Sequence, residues 1–165
     1  INSQTPTVIL YKEIINKYME TFVKNNRELN NSVSVKTSIS GVRTIYKALK
    51  DKKVICFAAD QVPKRGLGEH IKLYNKMAYT TTLVQNLASK TNCPVIYLCM
   101  NSNINGFLSV SIKPCSDDIY DNSKHLQLVN KDIEKLINRR PIDYSWEYKR
   151  FKRCLPEEEN LYSGI

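Results

Sequence analysis

The stretch TSISGVRTIYKALKDKKVICFAAD, residues 37–60, predicts a helix that leads directly into a buried strand. Hydroxyl side chains at its start can cap a helix, and the lysines near its end suit the negative end of a helix dipole. The continuous apolar run 54–60 then ends in Asp60, as expected of an interior strand whose carboxyl end opens into a site. The apolar side chains at the i, i+3, i+4, i+7 spacing of one helix face are Val42, Ile45, Tyr46 and Leu49.

Outward from this stretch, helix-like and strand-like segments alternate along the chain. The connections between the strand-like segments are too long for hairpins, which favours parallel pairing through crossover helices. We therefore predict one α/β domain over residues 1–165, with a largely parallel sheet flanked by helices. The predicted strands are 7–12, 54–60, 93–100 and 106–115, the predicted helices are 16–29, 37–53, 79–92 and 126–140, and the predicted loop is 61–77.

The composition limits the classes of protein that the chain can represent. A formal charge of +9 at pH 7 attracts phosphates, nucleic acid or an acidic membrane surface. No apolar run approaches the roughly 20 residues that cross a bilayer, and the first residues do not match a secretion signal. The five cysteines are odd in number and lack CxxC spacing, so we predict neither a disulfide framework nor a metal site, and no cofactor.

The sequence lacks the local motifs of several enzyme classes. Neither histidine, His70 or His125, is followed within five residues by a carboxylate. Cys56, Cys93 and Cys99 lie in or beside apolar runs, where thiols usually pack and do not react. The glycine pattern KRGLG at 64–68 matches neither phosphate-loop pattern. Residues 61–77 still combine proline and glycine with four basic side chains, so they form either an anion-binding loop or a merely solvated one.

The segment YSWEYKRFK, residues 144–152, combines three spaced aromatic side chains with a basic end. It fits a core segment with a charged edge, and in a helix Trp146 and Arg150 would share a face. It also fits a surface that grips an anionic, partly apolar partner. Single-stranded nucleic acid ranks last among such partners, because Asp143 and Glu147 interrupt the basic patch.

Three longer segments, taken together, match the pattern of a known family. They are KALKDKKVICFAADQ (47–61), AYTTTLVQNLASKTNCPVIYLCM (78–100) and NKDIEKLINRRPIDYSWEYKRFK (130–152). They contain a strand that ends in Asp-Gln, a helix that starts at Ala-x-Thr-Thr, a strand at Cys-Pro-Val and a closing aromatic and basic segment. This combination, which extends over most of the chain, resembles the late acyltransferases of lipid A biosynthesis, the lauroyl and myristoyl transferases.

The resemblance implies transfer of a fatty acyl chain to a hydroxyl of a phosphorylated lipid A precursor, with acyl-carrier protein or acyl-CoA as the donor. It also implies a glycerolipid-acyltransferase-like fold at the cytoplasmic face of a Gram-negative inner membrane. The charge of +9 suits these partners, because the carrier protein, the acceptor and the membrane surface are all acidic.

The resemblance also assigns roles to particular residues. Asp60 and Gln61 match the family's Asp-Gln, and we expect Asp60 to orient a basic partner at the site. Trp146, Arg150 and Lys152 match the closing segment, where we expect Trp146 to pack more than to contact a ligand. The residues that we expect to contact phosphates are Lys64, Arg65 and Arg150, with Arg27 as a further positioning candidate.

Two departures from the family pattern affect these expectations. The family's catalytic histidine, with a carboxylate five residues later, belongs to an N-terminal half that we expect these residues to lack. The glycine- and phenylalanine-rich stretch after Asp-Gln is HIKLYNKM here (70–77), so either the specificity differs or the site is degraded. We therefore expect a C-terminal part without its anchor or general base, inactive alone. The alternative is a non-catalytic module that binds anionic lipid or the carrier protein.

Overall fold

A computed structural model describes residues 5–121, 125–155 and 161–163, with only the backbone at His125. The chain separates into two compact units, Ile1–Ala58 and Ala59–Ile165. The prediction of one domain over residues 1–165 is not tested by this division and stays a prediction. Among the described residues, no helix has both the length and the apolar character needed to cross a bilayer.

The first unit is a small parallel sheet with two helices. Its strands are ordered β2-β1-β3, and both pairings are parallel. The parallel pairing agrees with the prediction for this unit, but β2 lies between two predicted helices, where no strand was predicted. The elements are β1 (Thr7–Tyr11), α1 (Lys17–Arg27), β2 (Ser32–Lys36), α2 (Ile39–Lys50) and β3 (Val54–Cys56).

The two helices of this unit lie on opposite faces of its sheet. Parallel crossovers are almost always right-handed, and the chain moves from β1 outward to β2 and then back across to β3. Side chains confirm the result, because the Tyr11 hydroxyl reaches Glu20 of α1. Val35, the cross-strand partner of the preceding residue Leu10, lies beneath Gly41 of α2. Successive strand residues point to opposite faces.

Helix α2 follows the sequence prediction closely. The Ser38 side chain caps it by accepting a hydrogen bond from the Gly41 backbone N–H at 3.0 Å. Of the predicted apolar face, Ile45 is buried, while Val42, Tyr46 and Leu49 are half-buried; Ala48, which was not predicted, is buried as well. The prediction of a strand over 54–60 was wrong in its length, because β3 pairs with β1 over only three residues. Asp60 therefore lies in a turn beyond the strand.

The second unit contains two antiparallel hairpins and two helices. Strand β4 pairs with β5, and β6 pairs with β7. The prediction of a largely parallel sheet is therefore wrong for this unit, although the mixed α/β class is confirmed. The elements are β4 (Gly68–Leu73), β5 (Lys76–Thr81), α3 (Leu83–Thr91), β6 (Ile96–Ser102), β7 (Leu108–Pro114) and α4 (His125–Arg139), with short 3₁₀ helices at Asp117–Tyr120 and Pro141–Asp143.

The hairpin β4–β5 replaces most of the predicted loop 61–77. Leu73 pairs with Lys76, so the connection consists of the two residues between them. Tyr74 and Asn75 have φ angles of 48° and 62°, as a type I′ turn requires. Its first position usually holds Asn, Asp or Gly, so the Tyr-Asn pair carried a weak turn signal.

Helix α4 covers the β4–β5 hairpin and forms the core of this unit with it. Asn130 is fully buried and donates from Nδ2 to the Lys72 carbonyl and to Thr80 Oγ1, both at 3.0 Å. By contrast, β6 was predicted as a buried strand and is not one. Every second β6 side chain is exposed, because β6–β7 forms a separate two-stranded sheet with one uncovered face.

Candidate functional site

The closing segment, residues 144–153, is a run of turns and not a helix. It begins after the short 3₁₀ helix Pro141–Asp143 and stays close to β5 and to the residues before β4. Trp146 and Arg150 therefore do not share a helix face. The indole of Trp146 is exposed and donates from Nε1 to the Pro141 carbonyl at 2.7 Å. The indole also contacts Tyr144 edge to face, and its expected packing role stays a prediction.

Arg150 anchors this segment in the interior of the second unit. Its side chain is only 3 % exposed. The guanidinium donates from Nη1 to the Tyr79 carbonyl at 2.9 Å and from Nη2 to Thr80 Oγ1 at 2.8 Å. Thr80 also bonds to Asn130, so one buried polar network joins the closing segment, β5 and α4. The predicted phosphate contact of Arg150 stays a prediction, and in this structure Nη1 and Nη2 are already used within the unit.

The electrostatics around Arg150 involve Asp60. Burial lowers the pKa of Arg150, while the nearby Tyr144 and Asp60 side chains favour the charged guanidinium. Burial, followed by the charge of Asp60, raises the pKa of Tyr144 to about 12, so this phenol stays neutral. Within the described part of the chain, Arg150 Nε and the Tyr144 hydroxyl are buried without a hydrogen-bond partner. The charge of Asp60 thus acts on a basic side chain, and the orienting role expected of Asp60 stays a prediction.

The residues that follow Asp60 form a loop, 61–67, which the rest of the unit holds at separate points; we call it the clamped loop. The Val62 N–H donates to the Tyr148 hydroxyl at 2.8 Å. Arg153 donates from Nη1 to the Pro63 carbonyl. The Gly66 N–H donates to the Tyr79 hydroxyl at 2.9 Å. Backbone groups on both sides of positions 64 and 65 are therefore fixed.

The clamped loop presents two cations to solvent. Lys64 and Arg65 are exposed, and so is Gln61 at the start of the loop. Lys152 lies close by, because its Nζ is 4.6 Å from the ring centroid of Tyr148, whose hydroxyl binds the loop. Three predicted site residues, Lys64, Arg65 and Lys152, thus lie around one short piece of fixed backbone. Such a surface attracts a multiply charged anion.

His70 has a structural place beside this loop. Its Nε2 donates to the Arg153 carbonyl at 2.9 Å, and its ring lies 5.0 Å from that of Tyr79. The ring therefore helps to hold the same arginine that binds the loop. The side chain of the second histidine, His125, lies outside the described part of the structure.

Arg27, the remaining predicted site residue, belongs to the first unit. It ends α1, is exposed, and its guanidinium carbon lies 5.9 Å from the ring centroid of Tyr11. Its positioning role stays a prediction.

Sequence reasoning missed the residues that hold the loop. Tyr79, Tyr148 and Arg153 come from β5 and the closing segment, far from the loop in sequence. A basic residue in the run KRFKR at 149–153 looks the same in sequence whether it binds a ligand or a carbonyl group. Only the turns of residues 144–153 decide which way each side chain points.

A comparison with protein-family models shows which family the chain, and with it the clamped loop, belongs to. Residues 1–153 match the family model described as bacterial lipid A biosynthesis acyltransferase. The chain belongs to this acyltransferase family. The resemblance drawn from the three sequence segments is therefore confirmed. Among curated proteins, a search finds no match to the chain. The match ends at Arg153, so it includes the whole clamped loop and every residue found to hold it.

Removing one clamp tests whether the loop depends on it. We expect Tyr148→Phe to lower the free energy of unfolding by about 1 kcal/mol, because the partly buried Val62 N–H loses its acceptor. Urea titration followed by circular dichroism measures the change. Tyr18→Phe is the matched control, since that side chain is 89 % exposed. An equal effect of the two substitutions would contradict the clamp.

Proposed function

We propose that this acyltransferase family member acts in lipid A biosynthesis by moving a fatty acyl chain to a hydroxyl of a phosphorylated lipid A precursor. The donor in this proposal is acyl-carrier protein or acyl-CoA, and the site of action is the cytoplasmic face of the inner membrane. The observation that carries the proposal is the family match over residues 1–153.

The reaction requires an acceptor hydroxyl to attack the donor thioester. The ester C–O bond forms, the C–S bond breaks, and the hydroxyl proton passes to a base while the thiol leaves. Neither His70 nor His125 has the carboxylate five residues later that this family's base requires. His70 also donates to the Arg153 carbonyl. We therefore assign the binding of anionic groups, and not the base, to the residues described here.

The clamped loop supplies this binding. Lys64 and Arg65 are exposed between backbone groups that are already fixed, so binding an anion orders little additional chain. Lys152 adds a third exposed cation close to the loop. A phosphorylated sugar lipid and an acidic carrier protein are both ligands that such a surface favours.

Neutralising the loop tests the proposal. We expect the double substitution Lys64→Gln with Arg65→Gln to raise KM for the phosphorylated acceptor by about tenfold to thirtyfold, with kcat nearly unchanged. The reason is that two cations near an anion each contribute about 1 kcal/mol. Steady-state assays with acyl-carrier protein as the donor measure both constants. Lys76→Gln is the control, because Lys76 is exposed and lies at the start of β5, next to the β4–β5 turn and outside the clamped loop.

A second candidate function is binding of anionic lipid or carrier protein without catalysis. It is favoured by the missing carboxylate after both histidines. The same variants separate the two functions. Saturable binding of the phosphorylated acceptor that the double substitution weakens, with no acyl transfer by the native protein, would support the binding module. Transfer with an unchanged KM in the double variant would refute the role of the loop.

A further inference from the structure

Helix α1 packs on its sheet with its polar side. Glu20 accepts a hydrogen bond from the Tyr11 hydroxyl and forms an ion pair with Lys36 Nζ, each at 3.1 Å. At the end of the helix, Glu28 accepts from the Ser34 backbone N–H at 2.7 Å. These contacts fix which side of α1 faces the sheet.

The opposite side of α1 carries apolar side chains into solvent. Three of them lie on α1 at the i, i+1, i+4 spacing of one helix face, and the fourth, Ile15, lies just before the N-cap residue Asn16. In an ordinary surface helix such a face is buried, yet α1 contains no buried residue. The exposed side chains, which we call the outer stripe, are Ile15 at 100 %, Tyr18 at 89 %, Met19 at 52 % and Phe22 at 63 % exposure.

The charges around the outer stripe are predominantly positive. Glu13 and Glu20 share Lys36, and Glu28 pairs with Lys24, so these ion pairs leave one excess negative charge, which the further cations Lys12, Lys17 and Arg27 outnumber. Lys12 and Lys17, on either side of Ile15, are exposed, and neither forms an ion pair in the described part of the chain. A negative partner therefore gains from both lysines.

We propose that the outer stripe docks on the surface of an anionic lipid bilayer. Aromatic and aliphatic side chains beside free lysines are the features of helices that lie in a membrane interface. A bilayer also suits the shape, because the stripe is a convex ridge of four side chains. A stable protein interface usually buries about 1,200 Å² or more with complementary shape, whereas lipids adapt to a ridge. The inference goes beyond the proposed reaction and does not depend on it.

Vesicle binding by the purified protein tests this surface. The vesicles are phosphatidylcholine, with or without phosphatidylglycerol, and bound protein is measured by co-sedimentation. We expect Tyr18→Ser with Phe22→Ser to weaken binding to the anionic vesicles by about tenfold or more, because the exposed rings no longer enter the interface. Ile39→Ser is the matched control. Ile39 is 75 % exposed but belongs to α2, on the other face of the sheet, so its loss should change nothing.

Lysine variants, added phosphate and a check for self-association complete the test. Lys12→Gln with Lys17→Gln should reduce the preference for anionic over neutral vesicles, and added inorganic phosphate should not displace the bound protein. Unchanged vesicle binding by the Tyr18 and Phe22 variant would overturn the proposal. So would a self-association, seen by sedimentation velocity, that this variant abolishes while it still binds vesicles normally. Acyl transfer to a detergent-dispersed acceptor should survive these substitutions, so failure here is distinct from failure of the proposed reaction.

Discussion

Replacing Arg150 by alanine is expected to lower the free energy of unfolding by about 3 kcal/mol. Two hydrogen bonds disappear: a part-buried one to the Tyr79 carbonyl and a buried one to Thr80 Oγ1. Arg150 is only 3 % exposed, so removing its side chain also leaves a cavity. Removal of a poorly solvated charge offsets part of this loss, because burial already lowers the pKa of Arg150.

Urea denaturation and thermal melting of the purified variants check this expectation. Arg150→Met fills much of the volume without donating hydrogen bonds, so its midpoint should fall between those of the native protein and the alanine variant. Lys152→Ala is the control, and we expect it to change stability by less than about 0.5 kcal/mol, since Lys152 is exposed. An alanine variant of native stability that no longer binds the phosphorylated acceptor would instead show that Arg150 contacts the ligand.

Gly41→Ala is expected to destabilise the first unit by about 3 kcal/mol. A Cβ at this position would lie 2.0 Å from the Lys36 carbonyl oxygen and 3.1 Å from Val35 Cγ1. The nearest atom belongs to the backbone and cannot rotate away, so α2 must move from the sheet. Alanine is a better helix former than glycine by about 1 kcal/mol, but this gain is smaller than the cost of the overlap.

Chemical denaturation followed by far-ultraviolet circular dichroism measures the effect of this substitution. Gly106→Ala is the matched control. Its φ of +78° makes alanine strained, yet a Cβ there meets nothing within 4 Å. We expect the control to cost about 1 kcal/mol. If both alanine variants lose the same stability, close packing of α2 on the sheet is not what requires Gly41.

Family membership could be recognised from sequence because it depends on the order and spacing of short motifs. These motifs can be read directly from the sequence. They are Asp60 with Gln61, the Cys-Pro-Val strand start and the closing aromatic and basic segment. What these motifs contact is a separate matter. Trp146 is 55 % exposed and donates to the Pro141 carbonyl, and the buried position of Arg150 became evident only in the folded chain.

Two features of the fold were determined locally by the sequence. Helix α2 follows from the Ser38 cap, an apolar face at helical spacing and a lysine-rich end, all within one short stretch. The parallel arrangement of β1, β2 and β3 follows from strands joined by helices. These features depend on contacts between residues that are close in sequence or on the handedness of the chain.

Tertiary structure alone decided the two β-hairpins and the burial of Arg150. The Tyr74-Asn75 turn is stabilised by the pairing of β4 with β5 and by α4, which donates hydrogen bonds from Asn130 to the Lys72 carbonyl. In the run KRFKR at 149–153, one arginine is buried while the lysines stay exposed. The buried and the exposed positions of this run all hold basic residues. Arg150 is buried because β5 provides a carbonyl and a hydroxyl acceptor for its guanidinium. Long-range packing, which short-range patterns do not encode, determines that choice.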